Sequence, residues 1–223
     1  MNVIELFAGS CSFSDVAQSR GHKTFTTDNG KDLFSVDQFS KINLVENVLF
    51  LESDVFDFKP DVIWASPPCT YFSVSSIGKH WNKDNTPKST EAILGVKLVQ
   101  KTFKLIEELK PQFYFVENPR GKLRKLDFMK QYKKQTVTYC QYGDERMKPT
   151  DIWTDSNWLG RQMCNYGDSC HESAPRGSTW GTQGLDNAFE RSRVPEQLCQ
   201  EIIEWLELNC ESSKRFKKRS RNR

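Results

Sequence analysis

Three short apolar runs, Val3-Ile-Glu-Leu-Phe7, Asp61-Val-Ile-Trp-Ala65 and Phe113-Tyr-Phe-Val116, each stop abruptly at a chemically distinctive residue. Runs of this length, rich in β-branched and aromatic residues and bounded by Gly, Pro or Asn, read as buried strands. Two more strands are expected at Lys23-Thr-Phe-Thr-Thr27 and Val48-Leu-Phe-Leu51. Between strands the periodicity becomes helical. A short helix through Asp15-Val-Ala-Gln18 ends at Gly21, and Ala92, Val96, Val99, Phe103 and Ile106 mark one face of a longer one. Ser89 or Thr90 caps that second helix and Pro111 closes it. Strands alternating with helices constrain the chain to the α/β class, with a doubly wound, mostly parallel sheet covered on both faces. In such a sheet the ligand crevice lies at the carboxyl ends of the strands.

The pattern changes after Lys134. Thr136-Val-Thr-Tyr-Cys140 and Asp151-Ile-Trp-Thr154 read as a β-hairpin, and residues 156–187 are rich in Gly, Ser, Asn and Cys with little periodicity. Pro195 opens a last helix with Leu198, Ile202, Trp205 and Leu206 on one face. The expected division is a catalytic domain over 1–155 and a small irregular recognition region over 156–190. A helix over 191–213 packs back on the first domain, and a basic tail covers 214–223. Residues 70–88 are polar and aperiodic, the character of a functional lid.

Composition restricts the setting. With 37% apolar residues and a mean hydropathy of −0.66, no run approaches the length a membrane helix needs. Strand-like residues begin at once, without a basic leader, so the chain reads as intracellular and cytoplasmic, in a bacterial or phage-infected cell. Seven irregularly spaced cysteines suit free thiols or metal ligands better than a disulfide framework. The net charge of +3 conceals an asymmetry: KRFKKRSRNR from Lys214 holds seven of the 32 basic residues, leaving 25 against 29 acidic ones in the body. Such a tail suits a polyanion.

The strand ends carry the chemistry. The first is followed by Ala8-Gly9-Ser10-Cys11-Ser12, the second by Asp28, and the third candidate strand ends near Asp54. A Gly-containing first turn admits a ligand to the backbone, and a carboxylate closing the second strand suits ribose hydroxyls. The turn lacks GxGxxG, which disfavours a dinucleotide. Asp54 suits an exocyclic amine such as that of adenine. Pro67-Pro68-Cys69 displays a thiol on a stiff turn, and Glu117-Asn118-Pro119 places an acid at the neighbouring strand end. A thiol becomes a good nucleophile beside a cation, for which Lys148 and Arg146 are the candidates.

These residues resemble the motifs of the cytosine-5 DNA methyltransferases. Ile4-Glu5-Leu6-Phe7-Ala8-Gly9 is similar to their first motif. Ser66-Pro67-Pro68-Cys69 with Phe72-Ser73 resembles the nucleophile motif, and Glu117-Asn118 the Glu-Asn motif. Tyr142-Gly143 with Lys148 resembles the stretch ending in paired arginines, and the order agrees over about residues 1–155. Arg193-Val194-Pro195 is faintly similar to the closing cofactor motif. The resemblance implies a short, divergent, phage-like enzyme that uses S-adenosyl-L-methionine to methylate carbon 5 of cytosine in double-stranded DNA. It implies Cys69 as nucleophile, Glu117 as the acid at N3, and Lys148 and Arg146 as cationic partners. Phe7, Ala8, Gly9, Ser10, Ser12 and Pro67 would line the cofactor, with Asp28 on its ribose and Asp54 on its adenine. A monomer acting on a flipped base, in a restriction-modification setting, is the expected form.

The chain departs from the family pattern at several points. Cys11 and Ser12 replace the usual glycines, Pro119 a valine, and Arg191-Ser192 a Gly-Asn pair. Lys148 and Thr150 stand where two arginines are usual. Transfer to RNA, transfer of another group, and an inactive nucleic-acid-binding relative are the alternatives. In the recognition region Arg161, Arg176 and Gln183 are base-reading candidates. Cys164, Cys170 and His171 read as loop residues without a metal, because Cys-x5-Cys-His is an unfamiliar zinc spacing.

Overall fold

The computed structural model describes residues 1–31, 33, 35–172 and 188–210. Its strands are β1 (Asn2–Leu6), β2 (Lys23–Asp28), β3 (Leu44–Val45), β4 (Val62–Ala65), β5 (Phe113–Pro119), β6 (Lys134–Thr138) and β7 (Pro149–Thr154). They form one sheet in the order β3-β2-β1-β4-β5-β7-β6. The first five run parallel to their neighbours, while β7 is antiparallel to both β5 and β6. The helices are α1 (Ser12–Ser19), α2 (Val36–Ser40), α3 (Ile77–His80), α4 (Thr90–Leu109), α5 (Ala188–Ser192) and α6 (Glu196–Asn209).

The uninterrupted apolarity of the central strands follows from burial on both faces. Along β4, Ile63 and Ala65 point into a core closed by Val99, Phe103 and Ile106 of α4. Val62 and Trp64 point the other way, into a core shared with Phe13 of α1 and Leu198, Ile202 and Ile203 of α6. Phe13 stacks on Trp64 with ring centroids 4.6 Å apart. Arg20, next to α1, reaches Glu207 of α6 through two hydrogen bonds, at 3.0 and 2.9 Å. The doubly wound α/β reading therefore holds.

Three expectations change. Val48–Phe50 is a 3-10 turn rather than a strand, because the Asn47 side chain accepts the Leu49 N–H at 3.0 Å and stops an extended run. Val48, with Leu51 just after the turn, still plugs the core beneath α4, while Phe50 is exposed. The strand in that place is the two-residue β3. Second, β5 continues through Glu117, Asn118 and Pro119, because β7 supplies an antiparallel partner for those residues. Third, residues 70–88 contain a small core of their own. Phe72 and Trp81 are buried, Trp81 Nε1 donates to the Tyr71 carbonyl at 2.7 Å, and the His80 ring meets Ser89 at 2.7 Å. Among the described residues no helix is long and apolar enough to cross a membrane.

Candidate active site

The turn that carries Cys69 is fixed from two sides. Asn118, wholly buried in β5, donates its amide N–H to the Pro67 carbonyl at 2.8 Å. Downstream, the Cys69 carbonyl accepts the N–H groups of Phe72 and Ser73 at 2.9 and 3.0 Å. The Phe72 ring is sealed against Gly95 of α4, where a Cβ would come within 3.2 Å of it. The Phe72 carbonyl takes the Lys122 N–H at 2.7 Å. A Cβ on Gly121 would run into that same carbonyl, so the absence of a side chain at 121 lets the two loops close. Cys69 thus sits on a rigid support, partly buried at the edge of the sheet.

Sheet register brings the acid beside it. Ala65 pairs with Val116, so Ser66 and Glu117 are the next residues along two adjacent parallel strands. Glu117 is 5% exposed and accepts the Tyr139 hydroxyl at 2.8 Å. Burial raises its pKa, opposed by the Lys148 charge and by hydrogen bonds from Tyr139 and Ser66. Lys148 arrives because β7 runs antiparallel and starts where β5 ends, with Thr150 opposite Pro119. The lysine is itself buried, with Nζ 4.6 Å from the centre of the Tyr139 ring and donating to the Arg191 carbonyl at 2.7 Å. Burial lowers its pKa, while Glu117 and Cys69 push it up. For Cys69 burial raises the thiol pKa, and Lys148 draws it back down. Cys69, Glu117 and Lys148 therefore form one electrostatic unit although 79 residues separate the first from the last. At φ +28° Lys148 occupies a backbone region costly for a side-chain-bearing residue, of the kind that concentrates at active sites.

A second group of predicted residues gathers at the same sheet edge. Phe7 (φ +59°) and Cys11 (φ +50°) bend the first turn sharply. The Ala8 N–H donates to the Thr27 carbonyl at 2.9 Å, and the Gly9 N–H to Asp28 Oδ2 at 3.1 Å. Asp28 Oδ1 accepts the Gly30 N–H at 2.8 Å, so the carboxylate is aimed by backbone on either side. Ser10 and Ser12 share a hydroxyl hydrogen bond of 2.8 Å, and Ser12 Oγ accepts the Val194 N–H at 3.2 Å, joining this turn to the start of α6. Glu5 lies beneath the turn, buried, and accepts the Ser14 N–H at 2.7 Å at the start of α1. Asp54 is exposed on a 3-10 turn, Ser53–Val55. Pro67 links the two groups, since it neighbours the nucleophile turn and is held by Asn118.

The C-5 cytosine-specific DNA methylase family model matches residues 1–139, the stretch that builds the first turn, the Cys69 turn and the Glu117 strand. The chain belongs to this family. By class it is a DNA (cytosine-5-)-methyltransferase, and enzymes of this kind use S-adenosyl-L-methionine. It is similar to a protein of Frog virus 3 (isolate Goorha) named a probable DNA (cytosine-5)-methyltransferase, 29% identical over 92% of this chain and 99% of that one. Among solved structures, the Entamoeba histolytica methyltransferase EhMeth aligns at a TM-score of 0.51 and 16% identity, covering 74% of this chain and 57% of the other. The S. pombe Dnmt2 methyltransferase aligns at 0.45 and 13%, covering 73% and 52%. The chain thus spans about half the length of these solved structures, and what EhMeth shares with it is the fold.

Other predicted residues have different surroundings. Arg146 is engaged with Asp144 through its backbone N–H at 2.9 Å and through Nε and Nη2, each at 2.7 Å. Its charge bears on Lys148, and Lys148 rather than Arg146 acts on Cys69. Arg161 is engaged within the protein. Its Nε donates to Glu201 of α6 at 2.8 Å, and its guanidinium lies 4.7 Å from the Tyr142 ring centre. Arg176, Gln183 and the basic tail lie outside the described residues. Arg191, which the sequence marked solely as a departure from a Gly-Asn pair, sends its charge toward Cys69 and its carbonyl to Lys148. Tyr139 was equally hidden, because a tyrosine in a hairpin strand reads as ordinary β-former chemistry.

Proposed function

We propose that the chain methylates carbon 5 of cytosine in double-stranded DNA through a covalent adduct on Cys69. The observation that carries this reading is the buried unit of Cys69, Glu117 and Lys148, in which one cation acts on both the thiol and the acid. Carbon 5 of cytosine is a weak nucleophile, and addition of a thiolate to carbon 6 turns it into an enamine carbon. Lys148 and Arg191 favour the thiolate of Cys69 against the effect of burial. Glu117, whose burial favours the protonated form, donates its proton to N3 as negative charge develops on the ring. Tyr139 fixes the carboxyl oxygen that does not carry the proton. An ammonium has three donors, so Lys148 keeps two for the base carbonyl after the bond to Arg191. Once carbon 5 carries the methyl group, loss of its proton to water and return of the N3 proton to Glu117 re-form the ring double bond and expel Cys69 as thiolate.

The first turn fits the cofactor. The oxygens of Asp28 each accept one backbone N–H, which fixes the carboxylate beside the first turn, where it would meet the ribose hydroxyls. Phe7, Ala8, Gly9, Ser10, Ser12 and Pro67 would line the cofactor, and Asp54 would accept from its adenine. When bound, S-adenosyl-L-methionine supplies the electrophilic sulfonium methyl. Because Glu117 is buried, a cytosine inside a duplex cannot reach it, so the base is flipped out, with the segment 70–88 folding over it.

The reading is tested by expressing the chain in a methylation-free host and sequencing that host's DNA after bisulfite conversion. Protected cytosines in a defined sequence context, absent from a Cys69→Ser control, are the expected result. Complete conversion of the DNA by folded, cofactor-competent protein would direct the activity to RNA or to binding without turnover.

A further inference from the structure

The free cysteines are not scattered at random. Cys140 follows β6, Cys164 and Cys170 lie beyond the hairpin, and His171 comes next in sequence, yet their ligand atoms all fall within 4.8 Å of one another. Cys140 Sγ is 3.1 Å from Cys164 Sγ and 3.7 Å from Cys170 Sγ. His171 Nδ1 is 3.7 Å from Cys164 Sγ and 3.6 Å from Cys170 Sγ. We propose that Cys140, Cys164, Cys170 and His171 form a structural zinc site that pins the entry of the recognition region to the catalytic domain.

Tetrahedral zinc with sulfur at about 2.3 Å and nitrogen at about 2.0 Å puts neighbouring ligands roughly 3.6–3.8 Å apart. Three of the four spacings above fall on that edge length, and the fourth shortens it. Three sulfurs and one imidazole are a donor set that selects zinc and fills every coordination position, the mark of a structural rather than a catalytic site. Cys170 and His171 are adjacent in sequence, yet their ligand atoms come within 3.6 Å of each other, which lets both reach one ion.

A disulfide does not explain the arrangement. The 3.1 Å between Cys140 and Cys164 is well beyond a sulfur–sulfur bond of about 2.05 Å. Such a bond would also leave Cys170 and His171 converging for no purpose. The His171 ring makes the same point. Its Nε2 is buried without a partner among the described residues, and Nδ1 faces two sulfurs, which are poor partners for a neutral imidazole.

The backbone around the cluster is already fastened. The Cys164 N–H donates to Thr138 Oγ1 at 3.1 Å, the Glu172 N–H to the Glu145 carbonyl at 2.7 Å, and the Gln141 amide to Cys170 Sγ at 3.4 Å. The last is the kind of outer hydrogen bond that supports a metal-bound thiolate. Cys140 is also the residue after Tyr139, whose hydroxyl holds Glu117. Zinc here would tie the segment 164–172 to the same short turn that positions the acid.

The test is metal analysis of the full chain produced with zinc in the medium and purified under reducing conditions. About one zinc per chain is expected, falling at least about fivefold in Cys164→Ser and His171→Gln and unchanged in a Cys210→Ser control. Cobalt exchanged into the wild-type chain should show tetrahedral ligand-field bands with thiolate charge transfer, a reading that needs no variant to fold. Wild-type protein that is folded yet holds less than about a tenth of a zinc and gives no such cobalt spectrum would overturn the proposal. So would full zinc retention in a folded Cys140→Ser/Cys164→Ser protein, or a Cys140–Cys164 disulfide as the resting form.

Discussion

At the scale of single residues, the site works by opposing burial with one well-placed charge. Burial alone raises the pKa of Cys69 and of Glu117, and Lys148 lowers both. Replacing Lys148 with methionine should therefore raise both pKa values. The rising limb of the pH–rate profile, which reports thiolate formation, should move to higher pH, and the single-turnover rate near neutral pH should fall at least about tenfold. Lys148→Arg, which keeps the charge, should lose less. An unmoved limb would separate Lys148 from the nucleophile. Cys69 and Glu117 were legible in the sequence because parallel strands display chemistry at their ends. Arg191 was not, since its charge reaches Cys69 from a point 122 residues further along the chain. The partner of Arg161, Glu201, was equally hidden, because a sequence displays a cation without displaying its partner.

At the scale of elements, two buried carboxylates anchor the framework in opposite ways. Glu5 caps the start of α1, and burial raises its pKa to about 7 from 4.5. Its folded-state pKa is raised, so the stabilising contribution of the protonated form is complete below about pH 4.5 and is lost as pH rises through 7. In urea unfolding, the stability of Glu5→Gln relative to wild type should shift in its favour by up to about 3 kcal/mol between pH 5 and pH 8. Asp151 of β7 is wholly buried and is clasped by Arg124, with Nε at 2.7 Å, and by Thr136 Oγ1 at 2.8 Å. Removing one side of such a pair strands the other charge, so Arg124→Met should cost about 3 kcal/mol in the same assay. The hairpin of β6 and β7 was readable from its alternation. The length of β5 was not, because Glu117 and Asn118 look like a loop until β7 is placed beside them. Val48–Phe50 failed as a strand for a related reason: the burial of Val48 was legible, but the cap from Asn47 decided the geometry.

At the scale of the whole molecule, the sheet order gathers the chemistry along one edge. The ends of β1 and β2 present the turn around Gly9 and Asp28, the ends of β4 and β5 present Cys69 and Glu117, and the reversed β7 brings Lys148 back to them. The basic residues from Lys214 add a separate charge on a net acidic body. If they contact about four to six phosphates, deleting 214–223 should flatten the dependence of log affinity for duplex DNA on log salt by a slope of about four to five. An unchanged slope would leave binding to the body alone. The central claim is the covalent role of Cys69, and one measurement addresses it without knowledge of the target sequence. Duplex DNA in which 5-fluorocytosine replaces cytosine throughout is incubated with the chain and S-adenosyl-L-methionine, then analysed by denaturing separation and peptide mass mapping. The account predicts a stable, cofactor-dependent protein–DNA adduct that maps to the peptide containing Cys69 and is missing from Cys69→Ser. An adduct that persists in Cys69→Ser, or methyl transfer to ordinary DNA by that variant, would contradict it.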